Sequence, residues 1–306
     1  MTSVSPEGRC CAVVVTFNRA KLLRKCLHAL LAQTRSLDHI LIVNNKSTDN
    51  TAQLLAEEFP QLEVMHTTEN TGGSGGFAAG MKEAHARGFD WLWIMDDDVE
   101  AYPDALEKLF RYRDLSDYVH MRKDLADGNW HFEGMWDLTV LTVRMFPKEV
   151  SFANGKDWMV VNYSNFEGPL IHRRVIDKIG VPDTRYFMYG DDVIYGLLAS
   201  FHTNLLYINH TGFKKDFGWS KGMDRMSYYF TFRNNYLTLE HLRAIGMHVN
   251  NTSMWICNVR NLAWCLGHIL RQPGQRKWNN LTAVWQGLRD GMRGNYHQYG
   301  RPPWLS

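Results

Sequence analysis

Three consecutive acidic residues, Asp96, Asp97 and Asp98, stand directly after an apolar run at residues 91–95. Each charged carboxylate makes ionisation of its neighbour less favourable, so the cluster indicates that a cation, most simply a divalent metal ion, binds nearby. Because alternate side chains of a strand share one face, Asp96 and Asp98 are expected to point together at a metal or a ribose, while Asp97 points elsewhere. The alternative is a solvated turn in which Asp caps the next helix, but a cap requires only one Asp.

A glycine-rich segment at residues 70–80 contains five glycines in eleven residues. Glycine lets backbone amides approach a ligand closely, and the N-terminus of a following helix favours anions, so the segment predicts a phosphate site. Gly73, Gly75 and Ala78 also satisfy the G-x-G-x-x-A dinucleotide pattern, which makes an NAD(P)-dependent oxidoreductase an alternative. Against it, the glycines follow the third predicted strand instead of the first, and three carboxylates suit a pyrophosphate poorly without a metal. A purely structural glycine turn is the remaining interpretation.

A second acidic pair, Asp191 and Asp192, stands at the start of a predicted helix. Helix capping and the helix dipole would explain both acids. The functional interpretation is that one of them takes the proton of an acceptor hydroxyl as a general base, a role worth roughly 10² to 10⁴ in rate. His210 stands at a predicted strand end, after an apolar-leaning stretch at residues 204–208. It is a candidate third metal ligand, although a lone histidine is more often structural.

The first 100 residues alternate between apolar, β-branched runs and segments of helical periodicity. The predicted strands are residues 12–17, 39–43, 62–66 and 91–95, and the predicted helices are residues 18–31, 51–59 and 81–87. This alternation predicts an α/β fold with a parallel, doubly wound sheet that binds ligands at the C-terminal ends of its strands. Asn18, Asn44, Gly73 and Asp96 all stand at such ends.

The second half of the chain has a less regular pattern. Residues 111–161 are rich in Trp, Asn, Gly and Asp, as in the loops of a binding surface. A short strand-like segment followed by a short helix is predicted at residues 166–180, and a further helix at residues 187–200. From about residue 226 the pattern is helical and rich in Tyr, Trp and Arg.

The composition predicts a large core, with 45% apolar residues in a chain of 306. The net charge of +2 gives no indication of nucleic-acid binding. The charge is uneven, because residues 250–306 contain seven Lys and Arg against one Asp, which gives +6 and leaves −4 for the rest. An amphipathic stretch at residues 254–270 suits packing against the main domain, which an apolar stripe favours, or contact with an anionic membrane.

The five cysteines form no C-x-x-C pair and no zinc spacing, which fits free thiols in a reducing cytosol. The chain has no run of 18 apolar residues, and its first apolar run is too short for a signal peptide. We therefore expect a soluble or surface-attached protein of the cytoplasm.

The motifs, in this order, resemble family 2 glycosyltransferases of the GT-A fold, and the resemblance covers residues 11–239. Residues 13–19 resemble the family's opening strand and nucleotide-contacting turn, and residues 43–49 resemble the end of its second strand. Asn44 stands where many relatives have an Asp that contacts uracil, but an amide can also pair with a pyrimidine edge. The resemblance implies a donor-binding set of Thr16, Asn18, Arg19, Asn44, Gly72, Gly73, Ser74, Gly75, Gly76, Asp96 and Asp97.

Within that family the chain looks most like the bacterial galactofuranosyltransferases that use UDP-galactofuranose. Residues 72–77 and 96–99 carry this likeness. Residues 189–198 resemble the region of the catalytic aspartate pair, residues 209–210 that of a metal-binding histidine, and residues 229–235 a helix that follows the site.

The resemblance also implies roles for individual residues. Asp96 and Asp98 would hold the metal ion, His210 would complete the metal site, and Asp192 would be the catalytic base beside Asp191.

Two features depart from the galactofuranosyltransferase pattern. Gly190 stands where those enzymes carry a Trp, and the chain is far shorter than the polymerising members, so a shorter, chain-initiating type fits better. Rhamnosyltransferases share the strand and acid motifs, so dTDP-rhamnose is the alternative donor.

Together these features predict an inverting glycosyltransferase that depends on Mn²⁺ or Mg²⁺ and moves galactofuranose from UDP-galactofuranose to a hydroxyl of a glycan or lipid-linked glycan. A non-catalytic sugar-nucleotide-binding module is an alternative of another class. The expected parts are a nucleotide-sugar-binding half (residues 1–110), an acceptor-binding and catalytic half (residues 111–245) and a helical, basic C-terminal region (residues 246–306). The acceptor is expected to enter over residues 130–167, and the basic C-terminus is expected to allow peripheral contact with the cytoplasmic face of a membrane.

Overall fold

The computed structural model describes residues 8–125, 130–131, 134–138, 142–145, 152, 155–215, 223–247, 251–297 and 302. Parts of the predicted acceptor segment and of the predicted C-terminal region therefore lie outside the described residues. The strands are β1 (Cys10–Thr16), β2 (His39–Asn44), β3 (Glu63–His66), β4 (Trp91–Asp96), β5 (Val99–Ala101), β6 (Tyr118–Leu125), β7 (Trp130–His131), β8 (Gly134–Asp137), β9 (Thr142–Met145), β10 (Trp158–Val161), β11 (Leu170–His172) and β12 (Leu205–Lys215). The α-helices are α1 (Ala20–Leu31), α2 (Thr51–Glu58), α3 (Gly72–Ala86), α4 (Ala105–Phe110), α5 (Arg173–Ile179), α6 (Asp191–Ser200), α7 (Arg225–Ala244), α8 (Asn251–Ile269) and α9 (Gly274–Met292).

One ten-stranded sheet dominates the described part of the chain. Its main strand order is β10-β12-β6-β11-β4-β1-β2-β3, with β5 paired to β12 and β7 paired to β6. Strands β3, β2, β1 and β4 are parallel neighbours, β11 is antiparallel to both β4 and β6, and β12 is parallel to β6. The predicted α/β fold with a doubly wound, mostly parallel sheet is therefore confirmed. The predicted nucleotide-sugar-binding half (residues 1–110) and the predicted acceptor-binding half (residues 111–245) both contribute strands to this one sheet.

The first strand is buried on both faces, which explains its continuous apolar run. Alternate residues of β1 point to opposite sides of the sheet. One set, Cys10, Ala12 and Val14, packs with α1 and α2, and the other set, Cys11, Val13 and Val15, packs with α3. Helices thus cover both faces, as a parallel sheet requires.

Helix α3 begins earlier than the sequence pattern predicts. We expected a glycine loop followed by a helix from residue 81, whereas the helix starts at Gly72. The glycines allow α3 to lie unusually close to the sheet. A Cβ atom on Gly80 would lie 2.5 Å from Cγ1 of Val13 and 3.0 Å from Cγ2 of Val43. Close packing against β1 and β2 therefore outweighs the low helix propensity of glycine.

The loosely patterned residues 111–161 contain a central strand that the sequence did not reveal. Strand β6 lies between β11 and β12, inside the sheet. Its sequence includes His120, Arg122, Lys123 and Asp124, so it does not look like a buried strand. Lys123 is nevertheless only 1% exposed, because Glu167 pairs with its ammonium group inside the protein.

The C-terminal part is helical, as predicted. Helix α7 packs along α9, and a Cβ atom on Gly287 would lie 2.3 Å from the carbonyl oxygen of Tyr229. All five cysteines are buried free thiols. Among the residues described, no helix combines the length and apolarity needed to span a bilayer.

Substituting Gly80 by Ala should destabilise the protein by about 1–3 kcal/mol, because the new methyl group overlaps two valines of the sheet. The matched control is Gly73→Ala in the same helix, where a Cβ atom meets nothing within 4 Å. We expect this control to be neutral or stabilising, since Ala favours helix over Gly. Urea unfolding measures both, and equal stability of the two variants would contradict the close approach of α3.

Candidate active site

A cleft of about 1030 Å³ opens at the C-terminal ends of β1 and β4, beside the start of α6. Ligands of doubly wound sheets bind at such strand ends. Both acidic motifs contribute to the cleft wall although they are far apart in the sequence. The sequence-predicted residues that line it are Thr16, Arg19, Gly72, Gly73, Asp96, Asp97, Asp191 and Asp192.

Asp97 contacts two residues at and just after the C-terminal end of β1. Thr16 Oγ1 donates a hydrogen bond to its Oδ2 at 2.7 Å, and Arg19 Nη1 donates to its Oδ1 at 3.1 Å. Burial raises the pKa of Asp97 to about 6 despite these contacts. Arg19 Nη1 also lies 3.0 Å from Asp98 Oδ2, so one guanidinium group contacts two carboxylates of the triplet.

Asp96 and Asp98 form a second group together with Glu167, a residue that sequence reasoning missed. One carboxylate oxygen from each of the three lies within 4.8 Å of the others. Burial, together with repulsion from Asp98 and Glu167, raises the pKa of Asp96 well above its usual value. Three converging carboxylates are the ligand type that Mg²⁺ and Mn²⁺ prefer, and a cation would relieve their repulsion, so the residues fit a divalent metal.

Two lysines partly balance this acidic group. Lys215 Nζ lies 2.9 Å from Asp98 Oδ1 and also pairs with Oε1 of Glu167, while Lys123 pairs with Oε2 of Glu167. Burial alone would raise the pKa of Glu167, but the two lysines hold it well below its usual range. The cluster contains four acidic side chains and three basic ones, so one added cation would favour charge balance. The acidic residues are Asp96, Asp97, Asp98 and Glu167, and the basic residues are Arg19, Lys123 and Lys215.

His210 does not join the acidic group, which corrects the metal site implied by the resemblance. Its Nε2 lies 4.0 Å from Asp157 Oδ2, and its ring is 6.5 Å from that of Tyr112. The reason is the length of β12, which was expected to end near residue 208. The strand instead continues to Lys215 through irregularities in its pairing with β6, so Lys215 is the residue that reaches Asp98.

The glycine segment contributes less to the cleft than expected. Gly72 and Gly73 line it, but the next three residues turn into the protein because α3 has already begun. Ser74 Oγ donates to the carbonyl oxygen of Asp183 at 2.7 Å. Cβ atoms on Gly75 and Gly76 would lie 2.5 Å from Thr71 and Val15, respectively. The predicted phosphate-binding run at residues 72–76 is thus reduced to its first two members.

Two asparagines of the predicted donor set shape turns instead of lining the cleft. Asn18 Oδ1 accepts the backbone N–H of Thr48 at 2.6 Å, and the buried Asn44 accepts that of Ser47 at 3.0 Å. Their neighbour Asn45, which sequence reasoning passed over, does line the cleft. Its position beside Asn44 at the end of a buried strand was the available signal.

The segment before α6 has a strained backbone. Phe187 and Tyr189 have positive φ angles of 64° and 65°, and Gly190 follows at 89°. Non-glycine residues rarely adopt this region, and such strain persists only where the surroundings hold it. The segment delivers Asp191 and Asp192 to the cleft wall.

The acidic pair is asymmetric. Asp191 is buried, and burial together with the charge of Asp192 raises its pKa well above the usual value. Asp192 is half-buried, and its Oδ1 accepts the backbone N–H of Val193 at 2.7 Å. Asp192 is therefore the member better suited to accept a proton from a group in the cleft.

Two buried side chains of α7 hold the strained segment in place. Asn234 Nδ2 donates to the carbonyl oxygens of Met188 and Tyr189 at 2.8 and 2.7 Å. Arg233 Nη2 donates to the carbonyl oxygen of Tyr186 at 2.7 Å, and burial lowers the pKa of Arg233 to about 10. Sequence reasoning identified this region only as a helix after the site; the adjacent Arg and Asn in an aromatic helix were the signal.

The chain is similar to known proteins in sequence and in fold. Residues 11–155 match the family described as glycosyl transferase family 2. Galactofuranosyltransferase GlfT1 of Mycolicibacterium smegmatis is 31% identical over 192 residues, which make up 60% of this chain and 62% of that protein. The match thus spans less than two thirds of this relative's own length.

Solved structures share the fold at low sequence identity. S. aureus TarS 1–349 has a TM-score of 0.59 and 14% identity, with 95% of this chain and 89% of that chain covered. GalNAc-T7 with UDP, GalNAc and Mn²⁺ has a TM-score of 0.60 and 12% identity, with 96% and 57% covered.

Asn234→Ala should loosen the segment before α6, because the carbonyl oxygens of Met188 and Tyr189 lose their donor. We expect amide hydrogen exchange of residues 186–190 to become at least about tenfold faster, since hydrogen bonds of this kind contribute about 1 kcal/mol each. Asn235→Ala is the matched control, because Asn235 donates to Asn258 instead. Unchanged exchange in Asn234→Ala would show that other contacts hold the segment.

Proposed function

We propose that this chain, whose residues 11–155 match glycosyl transferase family 2, transfers a sugar from a nucleoside diphosphate donor to a hydroxyl group of a glycan. The observation that carries the proposal is the meeting of two acidic motifs in one cleft, which is lined by Asp96 and Asp97 and by Asp191 and Asp192. A candidate metal-binding group that reaches the cleft through Asp96, together with a proton acceptor in the same cleft, suits a transfer in which a diphosphate leaves as a hydroxyl attacks.

The donor is proposed to lie along the ends of β1 and α3. Gly73 leaves open space above the backbone, and Arg19 and Thr16 line the neighbouring wall. The N-terminus of α3 favours phosphate oxygens through the helix dipole, while the backbone N–H groups of Gly72 and Ser74 donate to Asn70 Oδ1 and to the carbonyl oxygen of Phe187. Asn45 holds this turn against β2, since its Nδ2 donates to the carbonyl oxygen of Gly72 at 2.7 Å.

A divalent cation is proposed to bind Asp96 and Asp98, with Glu167 beside them. When bound there, Mn²⁺ or Mg²⁺ would neutralise the negative charge on the leaving diphosphate. Lys215 pairs with Asp98 and Glu167, so it holds the two carboxylates close to one another.

Asp192 is proposed as the general base. It takes the proton of the acceptor hydroxyl while the acceptor oxygen forms a bond to the anomeric carbon, and the bond from that carbon to the diphosphate oxygen breaks with its electron pair leaving on the diphosphate. Attack from the face opposite the diphosphate inverts the anomeric carbon.

Galactofuranose, from UDP-galactofuranose, is the proposed sugar. The support is the likeness to galactofuranosyltransferase GlfT1 together with the acidic and glycine motifs. The acceptor is proposed to be a lipid-linked glycan, with the enzyme in the cytoplasm at a membrane face.

Asp192→Asn should lower kcat by at least about 10², because the amide cannot accept the proton, while UDP binding stays unchanged. Single-turnover transfer and calorimetric UDP titration separate the two effects. Asp177→Asn on the exposed side of α5 is the control, and it should transfer at the wild-type rate. A rate of Asp192→Asn within tenfold of wild type would show that the base is misassigned.

A donor panel tests the sugar and the metal together. We expect nucleotide release in the presence of acceptor with UDP-galactofuranose, and not with dTDP-rhamnose or UDP-hexopyranoses, and we expect EDTA to abolish it. Transfer at full rate in chelator would remove the metal from the proposal.

Direct Mn²⁺ titration in the presence of UDP then separates the two candidate ligand sets. Asp98→Asn should weaken Mn²⁺ binding by at least about tenfold, as loss of a ligand does. His210→Ala should leave it unchanged, because His210 contacts Asp157 and Tyr112 instead of the acidic group.

A further inference from the structure

The outer faces of the two C-terminal helices carry large apolar side chains in contact with solvent. Four tryptophans, Trp255, Trp264, Trp278 and Trp285, are each more than half exposed, at 64%, 56%, 59% and 59%. Large apolar side chains exposed in this number on two helices that contact each other are typical of sites of interaction with proteins or membranes. We call these four residues, together with Ile256, Val259, Leu270 and Met292, the tryptophan face.

Packing in the core accounts for only the opposite side of α8. Cys257, Cys265 and Ile269 follow one another at multiples of four residues and are buried against the rest of the protein. Ile256 and Trp264 are likewise eight residues apart and therefore share a different, outward side of the helix. Helix α8 thus has one apolar side that packs in the core and a second apolar side that stays exposed to solvent.

The charges around this face are almost entirely positive. Residues 251–297 contain six Lys and Arg and one Asp, a net charge of +5. The single acid, Asp290, is buried and pairs with Arg289 at 2.9 Å, so it does not offset the positive charges at the surface. The exposed basic residues that flank the tryptophan face are Arg260, Arg271, Arg276 and Arg293.

We propose that the tryptophan face binds an anionic lipid surface, with α8 and α9 lying in the interface and no part of them crossing it. Indole rings prefer the headgroup region of a bilayer, and arginines beside them pair with lipid phosphates. In a symmetric contact between two copies of this chain, the positive face would meet itself, and like charges oppose that arrangement.

The face is connected to the candidate active site through one layer of packing. Cys265 and Ile269 of α8 belong to the same apolar cluster as Phe187, which begins the strained segment before Asp191. Lipid contact at α8 and α9 would therefore hold a membrane surface close to the cleft wall that carries the acidic pair. The lipid contact itself does not depend on the proposed transfer reaction.

Vesicle co-sedimentation of the full chain tests the proposal. We expect binding to vesicles of phosphatidylcholine with phosphatidylglycerol, little binding to phosphatidylcholine alone, and weakening with added salt. Two double variants, Trp255→Ser with Trp264→Ser and Arg260→Glu with Arg271→Glu, should each bind the anionic vesicles at least about tenfold more weakly.

The matched control removes exposed apolar side chains elsewhere. Phe201→Ser with Leu115→Ser changes residues that are 53% and 57% exposed and lie outside the tryptophan face, and it should bind vesicles as wild type does. Far-UV circular dichroism and thermal unfolding of every variant report whether the fold is intact, separately from lipid binding and from the proposed donor.

Two results would overturn the proposal. One is equal binding of the wild type and the tryptophan variant to anionic vesicles, or no binding by either, with both proteins folded. The other is a wild-type dimer in analytical ultracentrifugation that becomes a monomer in the tryptophan variant, which would make the face a contact between two copies.

Discussion

Ion pairs join the end of β4 to two distant parts of the chain. Arg19, just before α1, contacts Asp97 and Asp98, and Lys215, at the end of β12, contacts Asp98 and Glu167. Buried like charges are unfavourable unless opposite charges accompany them. The acidic triplet therefore depends on the pairing of β12 with β5, the strand that follows Asp98, in which Lys215 stands opposite Val99, whereas β12 and β4 are not neighbours in the sheet. Strands β11 and β6, which lie between them, complete that geometry.

The position of the second acidic motif depends on backbone strain and hydrogen bonds instead of ion pairs. Asp191 and Asp192 follow a backbone segment with positive φ angles, and Asn234 on α7 holds its carbonyl oxygens. Helix α7 in turn packs along α9. The C-terminal helices thus support the position of the acidic pair from inside, while their outer side carries the tryptophan face.

Much of the first half of the fold was predictable because its signals are local. The β-branched run of β1, the apolar run before Asp96 and the helical periodicity between them follow from neighbouring residues alone. Strand β6 was not predictable in this way, because Lys123 looks like a surface residue until Glu167 is placed beside it. The start of α3 was missed for a similar reason, since glycine disfavours a helix except where Val13 and Val43 require the close approach.

The sequence by itself determined the α/β class, the family resemblance, and the two acidic motifs at strand and helix boundaries, because spacing along the chain encodes each of them. Only the tertiary structure decided which residues meet. It placed Glu167 and Lys215 at Asp98 and kept His210 away, since the length and pairing of β12 depend on contacts with β6. It also decided which side of α8 stays exposed. Contacts between residues far apart in the chain leave no periodic signal, and the chemistry of this cleft depends on them.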